Sequence, residues 1–270
     1  MTGPALFDLT DRVAVVTGAG GSLGRAIAVG LAEAGASLAL LDVQPDALQA
    51  TAEMVRGADR PVVALPTDVA SEAAVEAAFV AIDAAFGRID ILVNNAAAPV
   101  ERVVPEAFPL DAWERSLAVN LTGYFLCARA AGARMVPAGR GGSIINMSSI
   151  TGSSALGRGN FAYSVSKGGV NQLTRELAVE WARHGIRVNA IQPAQFHNAA
   201  WDAMLADPTK RELVDHVVAG IPLGRFGDPA EMVGPVVFLA SDAAAMVTGV
   251  LLPVDGGNLA LNAGGSVRWS

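Results

Sequence analysis

The chain has 270 residues, of which 52% are hydrophobic and 17% charged, and its formal net charge at pH 7 is −7. This acidic balance argues against a nucleic-acid partner and against binding to an anionic membrane surface. No apolar run approaches the ~20 residues of a membrane-spanning helix, and no basic stretch followed by an apolar one marks a secretion signal. Cys127 is the only cysteine, which excludes an internal disulfide; together these features favour a cytoplasmic protein.

Apolar runs typical of buried strands alternate with alanine-rich helical segments along the chain. The predicted strands cover residues 13–17, 37–42, 62–65, 89–93, 143–147, 187–191 and 250–254. The predicted helices lie between them, at about residues 22–34, 45–57, 71–86, 111–135, 162–184 and 229–239. Continuously apolar strands separated by helices indicate a parallel sheet with helices on both faces. We therefore predict an α/β fold, a single Rossmann-type doubly wound parallel sheet of about seven strands.

The sequence shows no linker, internal repeat or low-complexity tract, so we predict one domain over residues 1–270. Two segments fall outside the alternation of strands and helices. Residues 194–222, approximately, are long and irregular enough to form a lid or substrate loop, and residues 258–270 form a C-terminal tail. Ligands of such sheets bind beyond the carboxyl ends of the strands, where the strand order reverses.

A glycine-rich turn, Thr17-Gly18-Ala19-Gly20-Gly21-Ser22-Leu23-Gly24, lies between the first strand and the first helix. Glycines allow the backbone to approach a pyrophosphate, and a helix N-terminus offers free N–H donors, although tight turns also use glycine for structural reasons alone. Asp42 ends the second strand, where its carboxylate could accept hydrogen bonds from both ribose hydroxyls of a dinucleotide. That carboxylate would repel a 2′-phosphate, which favours NAD over NADP; Arg25 is the residue that could weaken this preference.

Polar residues also follow the third and fourth predicted strands. Asp68-Val69 follows the third strand, and Asn94-Asn95-Ala96-Ala97 follows the fourth. Both positions are carboxyl ends of strands, where cofactor contacts are expected. The alternative is that the asparagines satisfy only the backbone of the turns.

Tyr163 and Lys167 are four residues apart on a predicted helix, so the phenol and the ammonium share a face. A free tyrosine ionises near pH 10. A cation held close favours the phenolate and is expected to lower this pKa by about 1–3 units, into the range of a general base. A lone pair of this kind is more often a solvated helix face, so its meaning depends on the other motifs.

Together these motifs resemble those of the short-chain dehydrogenase/reductase family, from about Leu9 to Gly257. The glycine turn is similar to the family's Thr-Gly-x-x-x-Gly-x-Gly, and the segment after the fourth strand to its Asn-Asn-Ala-Gly. Tyr163 and Lys167 match its Tyr-x-x-x-Lys, while Asn120 and Ser149 match its catalytic asparagine and serine. Residues 221–227 and 254–257 look like its C-terminal signatures.

Four positions depart from the family pattern. Ser22 stands where a glycine is usual; its hydroxyl could donate to a phosphate or cap the helix. Ala97 replaces the last glycine of Asn-Asn-Ala-Gly. Ala194 and Asn198 replace a glycine and a threonine after the sixth strand, near the expected position of the nicotinamide. We expect altered cofactor geometry there, without loss of binding.

The resemblance implies hydride transfer between a nicotinamide cofactor and a secondary alcohol or ketone. It implies that Tyr163 exchanges the proton, Lys167 lowers the pKa of Tyr163 and binds the ribose, Ser149 donates to the substrate oxygen, and Asn120 holds a relay water. Of the neighbours Ser148 and Ser149, the first is predicted to be structural. The implied cofactor contacts are Gly18, Gly20, Ser22, Leu23, Gly24, Asp42, Asp68, Val69, Asn95, Ala96, Tyr163, Lys167, Pro193, Ala194, Phe196 and Asn198.

We expect a small-molecule substrate of the polyol, sugar or hydroxy-acid type. Its predicted contacts are Ser149, Asn160, Tyr163, Gln195, His197 and Trp201. No His, Cys or carboxylate cluster has metal-ligand spacing, so no metal is predicted.

Two other functions remain open at this stage. One is an NADPH-dependent reductase of ketones or 3-oxoacyl thioesters, which Asp42 disfavours. The other is a non-catalytic nucleotide-sensing protein, which the complete set of catalytic residues disfavours. The two long alanine-rich helices favour a homotetramer, in which the tail with Leu259, Leu261 and Trp269 docks on a neighbouring subunit.

Overall fold

The computed structural model of the chain describes residues 3–261, and seven parallel strands form one sheet in the order β3-β2-β1-β4-β5-β6-β7. This architecture confirms the predicted α/β fold. The strands are β1 Val13–Thr17, β2 Ser37–Asp42, β3 Val62–Pro66, β4 Ile91–Asn94, β5 Gly142–Met147, β6 Ile186–Pro193 and β7 Leu251–Val254. The α-helices are α1 Ser22–Glu33, α2 Pro45–Gly57, α3 Glu72–Phe86, α4 Leu110–Leu117, α5 Gly123–Ala138, α6 Phe161–Trp181, α7 Ala199–Ala206, α8 Arg211–Ala219 and α9 Val233–Ala240.

Helices cover both faces of the sheet, which explains why its central strands are apolar at every position. All five residues of β1 are buried, and successive side chains point to opposite faces. Val16 packs with residues of α1, α2 and α9 on one face. Val15 packs with residues of α3, α5 and α6 on the other. The described part of the chain contains no helix with both the length and the apolar character needed to cross a membrane.

The helix predicted over residues 111–135 is interrupted in its middle. α4 ends at Leu117, a π-helical turn covers Ala118–Thr122, and α5 begins at Gly123. The wider turn places Asn120 in the interior, where its side chain is fully buried and hydrogen-bonded. Turns of this kind occur frequently at functional sites.

The segment predicted to be irregular, residues 194–222, contains the two short helices α7 and α8. The expectation of an irregular loop was therefore wrong. The helices form because Asn198 accepts hydrogen bonds from the first N–H groups of α7, and because Val217, Ile221 and Phe226 form a small buried cluster with Trp201 packed against it. We call residues 199–219 the helical lid.

The order of the strands reverses next to β1, which lies between β2 and β4. In a doubly wound sheet, ligands bind in the crevice beyond the carboxyl ends at this point. The turns that follow β1, β2, β4 and β5 all lie at this edge of the sheet. The C-terminal tail beyond residue 261, including Trp269, lies outside the described residues.

Candidate active site

Two adjoining cavities lie beyond the carboxyl ends of the strands. The larger, of about 310 Å³, is lined among others by Asn95, Ser149, Tyr163, Lys167 and Trp201, and we call it the catalytic cavity. The smaller, of about 180 Å³, is lined among others by Gly18, Asp42, Asp68, Val69 and Ala96, and we call it the Asp42 cavity. Both cavities include Ala97 and Ala98 in their walls. The site is thus elongated across the switch point, as the two halves of a dinucleotide require.

The glycine turn packs too closely for side chains at several of its positions. Gly18 has a positive φ of 64°, and a Cβ there would lie 2.8 Å from the Cα of Ala96. A Cβ on Gly24 would meet the carbonyl oxygen of Gly18 and lie 2.7 Å from Nδ2 of Asn95. Gly21 and Ser22, at the N-terminus of α1, are exposed, which leaves the positive end of the helix open to an anion. These features fit a bound pyrophosphate.

Ser22 does not cap α1, because the N-cap position is Gly21 and no side chain accepts a capping hydrogen bond there. Of the two predicted roles of its hydroxyl, the cap is therefore wrong. The Ser22 hydroxyl is exposed at the first turn of the helix, so donation to a phosphate is the role that fits.

Asp42 lies beside the glycine turn, as predicted. Its Oδ2 accepts a hydrogen bond from the backbone N–H of Gly20 at 2.8 Å, and its Oδ1 accepts one from Gln44 at 2.9 Å. Each carboxylate oxygen has a second lone pair, so two ribose hydroxyls can still donate to it. The guanidinium of Arg25 donates to the carbonyl of Gly20 and to Thr51, so Arg25 contacts the same turn residue whose N–H binds Asp42.

Asn95 connects the fourth strand to the glycine turn. Its Nδ2 donates to the carbonyls of Thr17 and Gly18 at 3.1 and 3.0 Å, and its backbone N–H donates to Thr17 Oγ1 at 2.9 Å. These contacts match the structural alternative for the asparagine, because it supports the turn that would hold the pyrophosphate. Asp68 accepts from the N–H of Ala70 and lines the Asp42 cavity with Val69.

Ser149 and Tyr163 meet in the catalytic cavity, although they lie on different elements. Ser149 follows β5 and is 7% exposed, while Tyr163 lies in the first turn of α6. Burial raises the pKa of Tyr163 above its usual value near 10, and a hydrogen bond with Ser149 partly offsets this. Ser148 Oγ lies 2.6 Å from Asn171 Oδ1 and 3.2 Å from the carbonyl of Lys167, contacts that suit the structural role predicted for it.

Lys167 shares the helix face of Tyr163, as the spacing predicts, but it does not make the phenol acidic. Its Nζ lies 5.6 Å from the centre of the Tyr163 ring and donates to the carbonyl of Met147 at 2.6 Å and to the hydroxyl of Tyr124 at 3.1 Å. Burial lowers the pKa of Lys167 to about 7. The expected lowering of the Tyr163 pKa by Lys167 is therefore wrong for this structure, because burial raises this pKa and only the Ser149 hydroxyl lowers it.

Tyr124 is a residue of this site that the sequence reasoning missed. It is fully buried in α5, accepts from Lys167 Nζ and donates to the Met147 carbonyl at 3.1 Å. Its ring also lies 4.7 Å from Lys167 Nζ. Burial, with Tyr163 nearby, holds the pKa of Tyr124 well above its ordinary value, so it stays a neutral partner of the lysine. In the sequence, the position of Tyr124 four residues after Asn120 could have indicated that it belongs to this site.

Asn120 connects the interrupted helix to α6. Its Nδ2 donates to Ser116 and Ser166 at 3.3 and 3.2 Å, and its Oδ1 accepts from the N–H of Ala98 at 2.8 Å. Ser166 in turn donates to the carbonyl of Tyr163 at 2.7 Å. Since both amide hydrogens are used, a relay water at this residue would have to donate to one of its oxygens.

Two buried polar atoms of the catalytic cavity have no hydrogen-bond partner in the described part of the chain. They are Oε1 of Gln195 and Oγ1 of Thr151, and both residues line this cavity. Buried polar groups are seldom left without a partner, because the loss costs about 1–3 kcal/mol each. Both side chains line the cavity, but these two atoms are themselves enclosed by protein.

The remaining predicted contacts divide into two groups. Asn160, Trp201, Leu23, Pro193, Ala194, Phe196 and Asn198 all line the catalytic cavity. His197 does not, because its Nδ1 is bonded to Asp202 at 2.7 Å and its ring packs on Phe226. The prediction of His197 as a substrate contact is not supported by this position. Asn198 Oδ1 is occupied as the cap of α7, and its Nδ2 donates to the carbonyl of Phe196 at 3.4 Å, which leaves one amide hydrogen for a ligand.

Among residues 3–261 no group of three or more His, Cys, Asp or Glu side chains is placed to hold a metal ion. Ser149 and Tyr163 each carry a hydroxyl group that can donate a hydrogen bond. Both hydroxyls are donors that reach the same cavity.

Comparison with known proteins agrees with this geometry. A family model described as enoyl-(acyl carrier protein) reductase matches residues 18–258. The D-threitol dehydrogenase of Mycolicibacterium smegmatis is 43% identical over 259 residues, covering 93% of this chain and 94% of that protein. The NAD-dependent glycerol dehydrogenase of Listeria innocua is 36% identical over 256 residues, covering 93% and 95%. A solved short-chain type dehydrogenase/reductase from Mycobacterium marinum superposes with a TM-score of 0.87 at 35% identity, covering 94% of this chain and 97% of that one.

Proposed function

The chain belongs to the short-chain dehydrogenase/reductase family, and from this premise we propose that it is an NAD-dependent dehydrogenase of a polyol, a sugar or a hydroxy acid. Membership of the family makes it an oxidoreductase that acts on alcohols with a nicotinamide cofactor. The single observation that carries the proposal is the meeting of Ser149, Tyr163 and Lys167 in a cavity that adjoins the cavity of Asp42.

The proposed catalytic group consists of Asn120, Ser149, Tyr163 and Lys167. When bound, a nicotinamide cofactor supplies the hydride acceptor for alcohol oxidation, or the donor for carbonyl reduction. Ser149 donates a hydrogen bond to the substrate oxygen, where negative charge develops. Tyr163 accepts the hydroxyl proton during oxidation and returns it during reduction.

Lys167 and Asn120 are proposed to support this proton transfer by Tyr163. An ammonium has three donors, and two of those of Lys167 are used on Met147 and Tyr124. The third is available to a ribose hydroxyl or to a water. Asn120 fixes the start of α6 through Ser166, which holds the backbone of Tyr163 in place.

The cofactor is proposed to lie along both cavities, with its adenosine half beside Asp42. Asp42 would accept from the ribose hydroxyls, and its charge would repel a 2′-phosphate. Arg25 contacts Gly20 and Thr51 beside this group, so it is the residue that could weaken the repulsion. We therefore propose NAD as the preferred cofactor. Asp42→Ser should narrow the ratio of kcat/KM for NAD over NADP by at least about tenfold, and an unchanged ratio would contradict this assignment.

The substrate is proposed to be polyhydroxylated, because the catalytic cavity offers several uncharged polar groups. Asn160 and Gln195 line it, and both carry amide groups that can donate and accept hydrogen bonds. The two relatives named above are, by their names, dehydrogenases of threitol and of glycerol, which supports this class. The test is a screen of NAD reduction over polyols, aldoses, hydroxy acids and cyclic alcohols. Absence of activity across that panel with both NAD and NADP would contradict the proposal.

One observation favours the reverse reaction as a second candidate. The raised pKa of Tyr163 keeps its phenol protonated at neutral pH, and a protonated phenol is the form needed for reduction of a ketone. A reductase of ketones or 3-oxoacyl thioesters would be favoured if NADPH supported faster turnover than NADH. Asp42 predicts faster turnover with NADH than with NADPH.

The assembly and location of the protein also belong to this proposal. Phe125 on α5, and Val165 and Val179 on α6, are 41%, 49% and 78% exposed, which leaves apolar side chains on the helices predicted to pair in a homotetramer. A cytoplasmic location and a single dinucleotide-binding and catalytic domain over residues 1–270 stay predictions.

A further inference from the structure

We infer that the substrate carries a negatively charged group, a carboxylate or a phosphate monoester, that is bound by Arg102 and Arg158 in the catalytic cavity. This inference rests on the proposed function, because it concerns the same cavity. It narrows the substrate class from polyhydroxylated compounds in general to those with an oxyanion at some distance from the reacting hydroxyl.

Both arginines line the catalytic cavity together with Tyr163 and Ser149. They lie on two segments that are held against each other, because the N–H of Val103 donates to the carbonyl of Gly159 at 3.1 Å. Arg158 is partly buried, three residues before the N-terminus of α6. The fold thus brings two cations to one wall of the pocket that holds the proposed proton donor.

Neither arginine is neutralised by the residues that the structure describes. Several other arginines form ion pairs, among them Arg88 with Asp90 and Arg225 with Glu231. Between residues 3 and 261, Arg102 and Arg158 form no salt bridge, and no Asp or Glu lines the catalytic cavity. The neighbouring Glu101 lines a different cavity, beside Phe108 and Ala162. Two arginines and Lys167 in one pocket are a local exception in a chain with a net charge of −7.

The two guanidinium groups are also near enough to affect each other. Burial, and then the charge of Arg102, lower the pKa of Arg158. Burial and the charge of Arg102 both disfavour the charged form of Arg158. A bound anion would offset the repulsion between the two arginines. A guanidinium offers donors in a planar fork that matches a carboxylate or a phosphate, so an oxyanion is the ligand that satisfies this pair.

The cofactor is not the anion in question. A 2′-phosphate would lie near Asp42, in the other cavity, whose lining includes neither Arg102 nor Arg158. The pyrophosphate has its own predicted place at the glycine turn and the N-terminus of α1. The arginines line the catalytic cavity together with Asn160 and Leu156, which are not among the predicted cofactor contacts.

The test compares compounds that differ only in one terminal group. Neutral polyols, the corresponding aldonates and the corresponding polyol phosphates are assayed in four- and six-carbon series with NAD and with NADP. We expect kcat/KM for an aldonate or a phosphate to exceed that for the matched neutral polyol by about ten- to hundredfold, the range of a charge-assisted hydrogen bond. The aldonate and phosphate arms distinguish the two sources of negative charge.

The variant Arg158→Met removes the charge and keeps the length of the side chain. It should reduce the ratio of anionic to neutral kcat/KM by about tenfold or more, and Arg102→Met should act in the same direction. Arg56→Met is the matched control, because Arg56 is exposed in the last turn of α2 and lines neither cavity. It should leave both kcat/KM values unchanged.

A second measurement separates failure of this inference from failure of the proposed function. Binding of the aldonate is followed by quenching of tryptophan fluorescence, since Trp201 lines the same cavity. Turnover that favours the neutral polyols would overturn the anion site and leave the dehydrogenase intact. If nothing is turned over, saturable quenching that Arg158→Met abolishes would still support the anion site, and its absence would overturn it.

Discussion

At the scale of single residues, burial governs the two groups predicted to exchange the proton. It raises the pKa of Tyr163 and lowers that of Lys167 to about 7, so each is pushed towards its neutral form. Lys167 is 2% exposed, and its ammonium is turned towards the Met147 carbonyl and the Tyr124 hydroxyl. A more acidic phenol therefore requires positive charge closer to Tyr163 than the lysine lies.

The buried lysine should lower the stability of the fold at neutral pH. Its folded pKa of about 7 lies below the unfolded value of 10.5, so the unfolded chain binds more protons between these values and stability rises with pH through this window. Replacing it with an apolar side chain removes this penalty. We expect Lys167→Met to raise the free energy of unfolding at pH 7. This gain in stability should be smaller at pH 10, by on the order of 2–3 kcal/mol.

Urea unfolding of both proteins at the two pH values measures this difference. Lys210→Met is the matched control, because Lys210 is the only other lysine and is exposed. It should show no such dependence on pH. A Lys167→Met variant that gains no stability at pH 7 relative to pH 10 would contradict the account of this residue.

At the scale of elements, the helical lid owes its first helix to one residue of the site. Asn198 accepts from the N–H groups of Ala200 and Trp201, both at 3.0 Å, and so caps α7. Asn198→Ala should cost about 1 kcal/mol of stability and loosen the helix that carries Trp201. We expect KM for substrate and for cofactor to rise severalfold in steady-state kinetics.

Ser71→Ala is the control for this prediction, because Ser71 caps α3 and lines neither cavity. It should cost similar stability in thermal unfolding while leaving KM unchanged. Equal kinetic effects of the two variants would mean that the cap of α7 has no special part in the site.

The regular elements could be predicted from the sequence more fully than the interruptions between them. Strands such as β1 and β2 were predicted at their observed bounds, because strands buried on both faces are apolar throughout. The π-helical turn was missed, since one additional residue in a turn leaves no trace in an alanine-rich pattern. The lid helices were missed because each covers barely two turns, and their stability comes from the Asn198 cap and the contact with Phe226.

The site residues show the same difference between regular elements and the segments that connect them. Tyr163, Lys167 and Ser149 were found because short motifs fix their positions at the ends of regular elements. His197 was misplaced because its direction depends on Asp202, in the helical lid, and on Phe226, which follows the lid. Tyr124 and the pair Arg102 and Arg158 were missed because their neighbours come from distant parts of the chain.

At the scale of the whole molecule, exposed apolar side chains on α5 and α6 support the predicted homotetramer. Burying Val179, which is 78% exposed, would gain about 1.5–3 kcal/mol per side chain. Sedimentation at micromolar concentration should give four chain masses of 27.6 kDa each. Val179→Asp should shift the protein to a smaller species, because it places a charge in an apolar contact.

A monomeric mass of the unaltered protein under these conditions would refute the tetramer. Glu53 provides a comparison, because it is an exposed acidic residue in α2. Glu53→Val, the opposite exchange at a site away from α5 and α6, should leave the mass unchanged.

The central claim is that Tyr163 exchanges a proton in nicotinamide-dependent alcohol oxidation, and the Tyr163→Phe variant tests it most directly. We predict that kcat for NAD reduction, with the best alcohol of the panel, falls about 10²–10⁴-fold while binding of NAD is kept. In the unaltered protein the rate of oxidation should rise from pH 7 towards pH 10, because the raised pKa of Tyr163 keeps the phenol protonated at neutral pH. A Tyr163→Phe protein that oxidises the same alcohol at nearly the original rate would contradict the account.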